Sequence, residues 1–265
     1  MKNLIIGAGY LGSAIQSYIG GDFCDWKFNK DYGELTKEDI RPYDNIIYVA
    51  GHSSVLQCIA DPYGAWDNNV TKFKNLIEKI QAQTLIYASS GSVYNKCQDV
   101  TEDNKVFNLT NHLDLAKFTM DQLTQLSMKN VYGLRFGTVA GWSPKMRSDL
   151  MINKMYANRD TLSVKIANPK IRRAILATSD LVRAIKAIID KPINPGIYNL
   201  SSFTKTVEEI GKEVADNLGI GVEYLPDTLA YDFDMDTNKF RNNYNFQFKG
   251  TIETILQGLR DEKIN

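Results

Sequence analysis

Three glycines near the N-terminus have the spacing of a phosphate-binding turn. Gly7, Gly9 and Gly12 form G-x-G-x-x-G directly after the short apolar run of residues 4–6. In a strand–turn–helix unit, the first glycine makes the tight turn, the second lets backbone N–H groups approach a pyrophosphate, and the third lets the helix pack closely on the strand. The N-terminus of the following helix adds partial positive charge. The stretch predicts dinucleotide binding, and a glycine-rich turn without a ligand is the alternative.

Polar side chains follow two further apolar runs of the chain. His52 comes directly after residues 45–50, and the serine-rich stretch SSGSVY follows residues 84–88. Open parallel sheets bind ligands beyond the carboxyl ends of their strands, so these groups have the position to hydrogen-bond a substrate hydroxyl. A plain turn and a histidine that packs at the surface are the alternatives.

The adenosine end of a dinucleotide calls for a different residue. An acidic side chain about twenty positions after the glycines often holds the adenosine ribose of NAD. Asp25, in the strand predicted over residues 22–28, is the candidate. Lys27 and Lys30 are suited to the 2′-phosphate of NADP, although a solvated surface is the simpler explanation of both. The sequence therefore leaves NAD and NADP open.

These groups must be positioned by the elements around them, and strands alternate with helices through the first 136 residues. Such alternation predicts an α/β fold with a doubly wound parallel (Rossmann) sheet, and the more irregular later part predicts a smaller C-terminal substrate lid. We expect residues 1–140, joined by 178–200, to form the dinucleotide-binding domain, and 141–265 to form mainly the substrate-binding region. Apolar periodicity predicts helices over 11–19, 62–80, 111–128, 151–159, 180–189, 206–218 and 251–259, and further strands over 131–136, 162–166 and 196–200.

The composition argues against several classes of partner. Lys plus Arg and Asp plus Glu both number 31, so the formal charge is zero and nothing favours nucleic acid or an anionic membrane. No apolar run approaches the length of a membrane span, and no signal or transit peptide is visible. Three widely spaced cysteines and two histidines fit no metal-binding pattern. We expect a cytoplasmic protein with reduced thiols and no metal.

Six segments follow one another in a characteristic order along the chain. They are GAGYLG from residue 7, YVAGHSSV from 48, DPYGAWDNNV from 61, YASSGSVY from 87, LRFGTVAG from 134 and RRAILATSDLVRAI from 172. Together they resemble the extended short-chain dehydrogenase/reductases, the family of nucleotide-sugar epimerases, dehydratases and reductases. The resemblance covers essentially the whole chain.

The resemblance implies hydride transfer between a sugar carbon of a nucleotide-sugar substrate and NAD or NADP. Ser90 takes the place of the family's catalytic hydroxyl, and Lys117 takes the place of its catalytic lysine, which also holds the nicotinamide ribose. The implied cofactor-binding residues are Gly7, Gly9, Tyr10, Leu11, Gly12, Asp25, Ala50, Gly51, Asn69, Ser89, Lys117 and Thr138. The implied substrate-binding residues are His52, Ser90, Gly91, Ser92, Leu113, Arg147, Asn153 and Arg173.

Two of these residues are suited to phosphate. Arg173 falls where the family clamps the diphosphate of the sugar nucleotide. Arg147 lies in SPKMRSDLMIN, which resembles a segment found in a subset of sugar-nucleotide members. Arginine makes bidentate contacts to phosphate that lysine cannot copy. A surface pair with Asp149 is the alternative for Arg147.

One departure from the family pattern bears on activity. The family carries Y-x-x-x-K, whereas NHLDLAK puts Leu113 in the tyrosine position and Lys117 in the lysine position. Leucine has no titratable proton, and acid–base catalysis typically contributes about 10²–10⁴-fold. His112, Tyr94 or a bound water are candidate substitutes, although His112 and Asp114 are expected to point about 100° away from Leu113 around the helix. Two functions stay open: an enzyme with an atypical acid/base, or a catalytically silent binding protein for a dinucleotide or nucleotide sugar.

The resemblance also implies a homodimer. The family commonly pairs through two helices on one face of the sheet, which correspond here to residues 62–80 and 111–128. Both segments carry wide apolar stripes, although burial against their own sheet explains most of this pattern.

Overall fold

One six-stranded parallel sheet organises the chain. The computed structural model describes residues 1–24, 30–105, 107–127 and 130–264. The strands in these residues are β1 (Asn3–Ile6), β2 (Asp22–Cys24), β3 (Asn45–Tyr48), β4 (Thr84–Ser90), β5 (Val131–Phe136), β6 (Thr138–Ala140), β7 (Ser163–Ile166), β8 (Arg172–Ala177), β9 (Gly196–Leu200), β10 (Phe203–Thr206) and β11 (Gly221–Tyr224). The main sheet has the order β2-β1-β3-β4-β5-β9, with every neighbouring pair parallel. Because β2 and β3 lie on opposite sides of β1, the winding reverses at β1, which is where open α/β sheets bind ligands.

Helices cover both faces of this sheet. In the described part of the chain they are α1 (Tyr10–Ile19), α2 (Lys37–Ile40), α3 (Val55–Ala60), α4 (Pro62–Trp66), α5 (Lys72–Ile77), α6 (His112–Ser127), α7 (Met151–Ala157), α8 (Thr178–Asp190), α9 (Val207–Leu218), α10 (Asn238–Tyr244) and α11 (Ile252–Asp261). Apolar residues of α1 and α8 pack in the core on one face, and those of α5 and α6 pack in the core on the other. The predicted doubly wound α/β fold is confirmed.

The central strands bury both of their faces. All four residues of β1 and all four of β3 are buried, as expected for strands with helices on either side. The predicted strands and helices are present with ends displaced by a few residues. The strand predicted over 22–28 is described only over β2, and Asp25 and Lys27 lie outside the described residues.

The helix predicted over residues 62–80 contains a π-helical turn. Asp67–Thr71 forms this turn between α4 and α5, and it buries Asn69 and Val70. A π turn inserts one extra residue and is frequent at functional sites. It points the Asn69 amide towards the end of β3 instead of leaving it on the helix surface.

The later part of the chain builds two smaller sheets. One has the order β10-β8-β6 and the other pairs β11 with β7. Apolar residues of α7, α9 and α11 share a separate core with these strands. Phe240 of α10 instead packs in the core of the main sheet, so the last third of the chain contributes to both cores. The assignment of 141–265 to substrate binding stays a prediction.

The described ranges contain neither a helix suited to a membrane nor a cluster of side chains suited to a metal ion. None of their helices is long and apolar enough to cross a bilayer. Within the same ranges, no three His, Cys, Asp or Glu side chains are grouped so that they could hold a metal ion.

A buried ion pair joins α6 to β5. The Arg135 Nε donates to Asp121 Oδ2 at 2.8 Å, and both side chains are almost completely buried. The Tyr87 hydroxyl donates to the other Asp121 oxygen at 2.7 Å, and Arg135 Nη1 donates to the Tyr94 hydroxyl. The charges are therefore satisfied by each other and by tyrosine hydroxyls, as buried charges must be.

We predict that Arg135→Met lowers the free energy of unfolding by about 3–5 kcal/mol, because it leaves the Asp121 carboxylate buried and unpaired. Urea denaturation monitored by circular dichroism measures the change. Lys186→Met is the control, since Lys186 pairs with Asp190 on the exposed surface of α8 at 2.7 Å. That change should cost no more than about 1 kcal/mol. Equal losses in the two variants would contradict the prediction.

Candidate active site

A cavity of about 950 Å³ opens at the carboxyl edge of the main sheet. Residues at the ends of β1, β3, β4 and β5 form its floor. This volume lies at the upper end of the range of about 300–1,000 Å³ that is typical of small-molecule sites. Most of the residues predicted to bind ligands line it: Gly7, Gly9, Tyr10, Leu11, Gly12, Ala50, Gly51, His52, Ser89, Ser90, Ser92, Leu113, Lys117, Thr138, Arg147 and Arg173.

The three glycines of the turn are needed for different reasons. Gly7 has φ +106°, and a Cβ there would lie 2.6 Å from the Ala50 nitrogen. A Cβ on Gly12 would overlap the Gly7 carbonyl oxygen, because α1 lies directly on the end of β1. A Cβ on Gly9 would meet no atom within 4 Å. The space over Gly9, at the N-terminus of α1, is open and suits an anionic group.

The cavity extends from α1 towards Asp31, Tyr32 and Lys72. The Lys72 Nζ lies 3.0 Å from Asp31 Oδ2 and 5.0 Å from the Tyr32 ring centroid. Lys30, predicted as a possible partner of a 2′-phosphate, forms a salt bridge with Asp39 at 2.5 Å. The described residues at this end do not select between NAD and NADP.

Tyr10 and Asn153 fix the loop that follows β6. The Tyr10 hydroxyl donates to the Gly141 carbonyl at 2.8 Å, and Asn153 Oδ1 accepts from the Gly141 N–H at 2.9 Å. The Asn153 Nδ2 donates to the Arg147 carbonyl at 3.1 Å. Asn153 was predicted to bind substrate, but it is buried and supports the loop from behind, since its amide is used by the backbone.

Arg147 forms the surface pair that was the alternative interpretation of its role. Its Nε and Nη2 donate to the Asp149 carboxylate at 3.0 and 2.5 Å. Its Nη1 also donates to Ser53 Oγ at 2.9 Å, which links the loop after β6 to the loop after β3. Arg147 lines the cavity in this arrangement and spans its mouth.

Gly91 and Asn69 lie behind the cavity wall, although both were predicted to bind ligands. A Cβ at Gly91 would lie 2.5 Å from the Met235 sulfur, so glycine is required there by packing. Asn69 is fully buried, and its Nδ2 donates to the His52 carbonyl at 3.1 Å. A Cβ at Gly51 would overlap the side-chain amide of Asn69. Asn69 therefore holds the loop that carries His52.

Ser90 and Lys117 face the cavity from neighbouring elements. Ser90 ends β4, and Lys117 projects from α6 so that its Nζ donates to the Ala88 carbonyl at 2.8 Å. Burial lowers the pKa of Lys117 to about 8, while Asp121 and Cys58 act in the opposite direction. The adjacent Ser89 hydroxyl is buried and has no hydrogen-bond partner in the described part of the chain. A ligand that enters here meets one cation and two hydroxyls.

Leu113 lies one helical turn before Lys117 and lines the same cavity. It was predicted to bind substrate, and its side chain does face the cavity. The same side chain also contacts a small buried cluster that contains Cys58 and Ala65. Leu113 is therefore a packed apolar part of the cavity wall.

A buried carboxylate that the sequence analysis set aside lies next to Leu113. Asp114 is fully buried, and its Oδ1 accepts from the Ser92 hydroxyl at 2.7 Å and from the Tyr231 hydroxyl at 2.8 Å. Ser92 Oγ is in turn 2.8 Å from Ser90 Oγ. Asp114 does point away from Leu113 around the helix, but Ser92 connects it to the cavity. Tyr231 lies in no motif, so nothing in the sequence indicated that it lines the site.

The two side chains predicted as candidate substitutes for the family's tyrosine lie outside the cavity. His112 is exposed at the start of α6. Tyr94 is fully buried, and its hydroxyl donates to Asn199 Oδ1 at 3.2 Å and accepts from Arg135. Burial raises the pKa of Tyr94 to about 12, against the lowering effect of Arg135. Tyr94 therefore belongs to the buried charge network and not to the cavity.

Arg173 reaches the cavity from β8. Its Nη2 donates to Thr138 Oγ1 at 2.7 Å, and its Nε is buried without a hydrogen-bond partner among the described residues. Arg173 forms no salt bridge with any carboxylate in those residues, whereas its neighbour Arg172 pairs with Asp234 at 2.7 Å. Burial lowers the pKa of the Arg173 guanidinium, partly offset by Tyr231 and Asp232. Such a cation is ready to accept an anionic ligand.

The fold and the site define a Rossmann-type protein with its cavity at the switch point of the sheet. Residues 7–201 match the NAD dependent epimerase/dehydratase family, and the chain belongs to that family. No curated protein matches the chain.

Solved structures with the same fold cover nearly the whole chain. One is MoeE5 in complex with UDP-glucuronic acid and NAD, with 18% identity, a TM-score of 0.84, and coverage of 98% of this chain and 99% of that chain. Another is UDP-glucuronic acid 4-epimerase from Bacillus cereus in complex with UDP-glucuronic acid and NAD, with 17% identity, a TM-score of 0.84, and coverage of 99% and 98%. A third is RMD from Pseudomonas aeruginosa complexed with NADPH, with 17% identity, a TM-score of 0.79, and coverage of 99% and 98%.

The glycine turn gives a prediction that separates folding from binding. Gly9→Ala should leave the melting temperature unchanged, because its Cβ meets open space, yet weaken NAD binding at least tenfold by occupying the space of a pyrophosphate. Gly12→Ala should lower the melting temperature or prevent folding, since its Cβ overlaps the Gly7 carbonyl. Differential scanning fluorimetry with and without NAD measures both effects. Normal NAD binding by Gly9→Ala would place the pyrophosphate elsewhere.

Proposed function

We propose that this protein is an NAD(P)-dependent nucleotide-sugar epimerase, reductase or dehydratase that acts by hydride transfer with an atypical acid/base. The observation that carries the proposal is the convergence of four features on one cavity: the glycine turn, the Ser90 hydroxyl, the Lys117 ammonium and the Arg173 guanidinium. Each has a separate task in such a reaction, namely to seat a dinucleotide, orient a reacting oxygen, hold a ribose and bind a diphosphate.

The cofactor is NAD or NADP, bound along the α1 side of the cavity. Gly9 and the N-terminus of α1 would hold the pyrophosphate, since a Cβ at Gly9 would project into open space. Lys117 would hold the nicotinamide ribose, and the unpaired Ser89 hydroxyl offers a further donor nearby. When bound, the dinucleotide exchanges a hydride with the sugar carbon.

The substrate is a nucleotide sugar, with its diphosphate at Arg173. The guanidinium has no carboxylate partner in the described residues, so a diphosphate would supply the missing negative charge. Two of the structurally similar proteins hold UDP-glucuronic acid together with NAD, which supports the same class of ligand here. Residues 141–265 would contribute most of the remaining substrate contacts, with the loop after β6 and Arg147 at the mouth.

The alternative function is a catalytically silent protein that binds a dinucleotide or nucleotide sugar. The feature that favours it is Leu113, which the resemblance puts in the position of the family's tyrosine and which presents no titratable proton to the cavity. The two functions differ in whether a protonatable group lies within reach of Ser90.

An assay of the purified chain decides between them. NAD and NADP are each mixed with UDP-glucose, UDP-glucuronic acid and 4-keto nucleotide sugars, and absorbance at 340 nm and the products are followed. An enzyme gives a change at 340 nm or a new sugar. Calorimetric binding of a dinucleotide and a nucleotide sugar with no product in any mixture would establish the silent protein instead.

Arg173→Ala should weaken nucleotide-sugar binding by about 1.5–3 kcal/mol, the range for charge-assisted hydrogen bonds. Isothermal titration calorimetry of the dinucleotide-bound protein measures the loss. Arg172→Ala is the matched control, because Arg172 is adjacent but already paired with Asp234 and half exposed. Unchanged affinity in Arg173→Ala would show that the diphosphate binds at another site.

Leu113→Tyr tests whether the acid/base position is vacant. The new phenol would lie one turn from the Lys117 ammonium, and a nearby positive charge lowers a phenol pKa. If no other group of the wild-type protein supplies the proton, activity on a bound nucleotide sugar should be restored or rise by up to about 10²–10⁴-fold. A variant that folds, binds cofactor and gains nothing would indicate that another group of the wild-type protein already does this work.

We propose a homodimer formed through the helical segments of residues 62–80 and 111–128, with α3 packed beside them. These helices pack beside one another and expose large apolar side chains: Leu56, Ile59, Tyr63, Trp66, Leu115 and Leu126. Light scattering at micromolar concentration should give a dimer mass. Leu126→Glu should give a monomer, while Leu162→Glu, an equally exposed leucine outside this face, should not. A monomeric wild type would remove the proposal.

A further inference from the structure

A chain of hydroxyl groups connects the cavity to the buried Asp114 carboxylate. Ser92 Oγ donates to Asp114 Oδ1 at 2.7 Å, so its oxygen is left to accept from Ser90 Oγ, 2.8 Å away. Ser90 Oγ accepts from the Ser92 N–H at 3.2 Å and keeps a second lone pair. Ser90 lines the cavity, whereas Asp114 lies behind its wall. Every hydroxyl proton therefore points away from the cavity and towards the carboxylate.

The contacts of Asp114 divide between its two oxygens. Oδ2 accepts from the Thr110 N–H and hydroxyl, both at 3.0 Å, and from Asn111 Nδ2 at 2.9 Å, which fixes the start of α6. Capping of the helix accounts for these bonds. Capping does not explain the two hydrogen bonds that Oδ1 accepts, because their donors, Ser92 and Tyr231, both line the cavity. Oδ1 is thus the oxygen that hydrogen bonds connect to a ligand in the cavity.

We propose that Asp114 is the terminal proton acceptor and donor of the reaction and acts on the sugar hydroxyl through Ser92 and Ser90. This rests on the proposed function, and it supplies the acid/base that Leu113 does not. Asp114 itself does not touch the substrate. Ser90 is the group that meets the reacting oxygen.

The proton steps balance along this path. When a sugar alcohol is oxidised to a ketone, its carbon-bound hydrogen leaves as hydride to the oxidised nicotinamide dinucleotide and its O–H bond breaks. The released proton goes to Ser90 Oγ, the Ser90 proton goes to Ser92 Oγ, and the Ser92 proton goes to Asp114 Oδ1. Both serines end neutral, and the carboxylate becomes a carboxylic acid. Reduction of a ketone runs the same path in reverse.

Tyr231 shares Oδ1 but has a different task. Its hydroxyl donates to Asp114 and accepts from Asn111 Nδ2 at 2.6 Å. Burial, reinforced by Asp114, raises the pKa of Tyr231, so the phenol keeps its proton. It therefore acts as a fixed donor that holds Oδ1 in line with Ser92. Lys117, one turn along α6, and Cys58 of α3 are further ionisable groups near the carboxylate.

The first test removes the middle of the path. With NAD and the nucleotide sugar that the wild type turns over, Ser92→Ala should lower kcat by about 10²–10⁴-fold. Calorimetric affinity for NAD should stay within about twofold, and the loss in kcat should exceed any loss of affinity for the nucleotide sugar, because the relay contributes to proton transfer. Thr110→Val is the matched control, since it removes a hydroxyl bond to the other oxygen of the same carboxylate. It should keep kcat within about twofold.

The second test observes the proton directly. Infrared difference spectra of protein labelled with ¹³C-aspartate, recorded as the nucleotide sugar is added to the NAD complex, should contain the carbonyl band of a protonated carboxyl group. The band should be absent in Asp114→Asn and in Ser92→Ala. A merely structural Asp114 would give no such band in the wild type, which would overturn the proposal.

Two kinetic outcomes also overturn it. Full turnover in Ser92→Ala would show that the proton takes another route. A larger loss in Tyr231→Phe than in Ser92→Ala would place the proton on the phenol. A failure of the proposed function would give a different result, because the wild-type protein itself would then show no turnover. That result is obtained before any variant is made. Leu113→Tyr in the Asp114→Asn background should recover turnover, since the new phenol takes over the proton.

Discussion

The contact between the first turn of α1 and the end of β1 is the constraint on which the site depends. Gly12 has no room for a side chain because the Gly7 carbonyl occupies the place of its Cβ, and Gly7 is pressed in the same way against Ala50. The end of β1, the start of α1 and the end of β3 thereby meet without side chains between them. Their closeness leaves the space above Gly9 open, next to the ends of β1 and β3 that form part of the floor of the cavity.

Helix α6 brings the second half of the site to this floor. Asp121 anchors the helix to β5 through Arg135, and Asp114 anchors its start through the Ser92 and Tyr231 hydroxyls. Between these two carboxylates lies Lys117, whose ammonium reaches the end of β4 at Ala88. The contacts of the two carboxylates with other elements help to hold Lys117 in this position.

The sequence was sufficient for the fold and for most of the cavity wall. Apolar runs and glycine spacing depend on local rules, and the motifs place their residues at strand ends that a parallel sheet brings to one edge. The exceptions were Gly91, Asn69 and Asn153, which support the wall from behind. A motif indicates that a residue belongs near a site, but which side of the wall it occupies depends on packing, such as the π turn that buries Asn69.

The hydrogen-bond network of Asp114 could not be predicted from the sequence, for a physical reason. Helical periodicity correctly separates Asp114 from Leu113, but it cannot say that a serine of a different element stands between the carboxylate and the cavity. Tyr231 comes from a segment without regular structure, more than a hundred residues from its partners on α6. Contacts of this kind depend on tertiary structure alone, and no local pattern encodes them.

The bond from Arg147 to Ser53 has a consequence for how fast the cavity can be entered. It is a contact between side chains of two loops at the exposed mouth, and a hydrogen bond to a charged group is worth about 1.5–3 kcal/mol. Exposed side chains change rotamer in picoseconds to nanoseconds. Even with that free energy against it, the bond opens and closes many times within a millisecond. The Arg147–Ser53 bond therefore does not limit the rate at which a ligand enters the cavity.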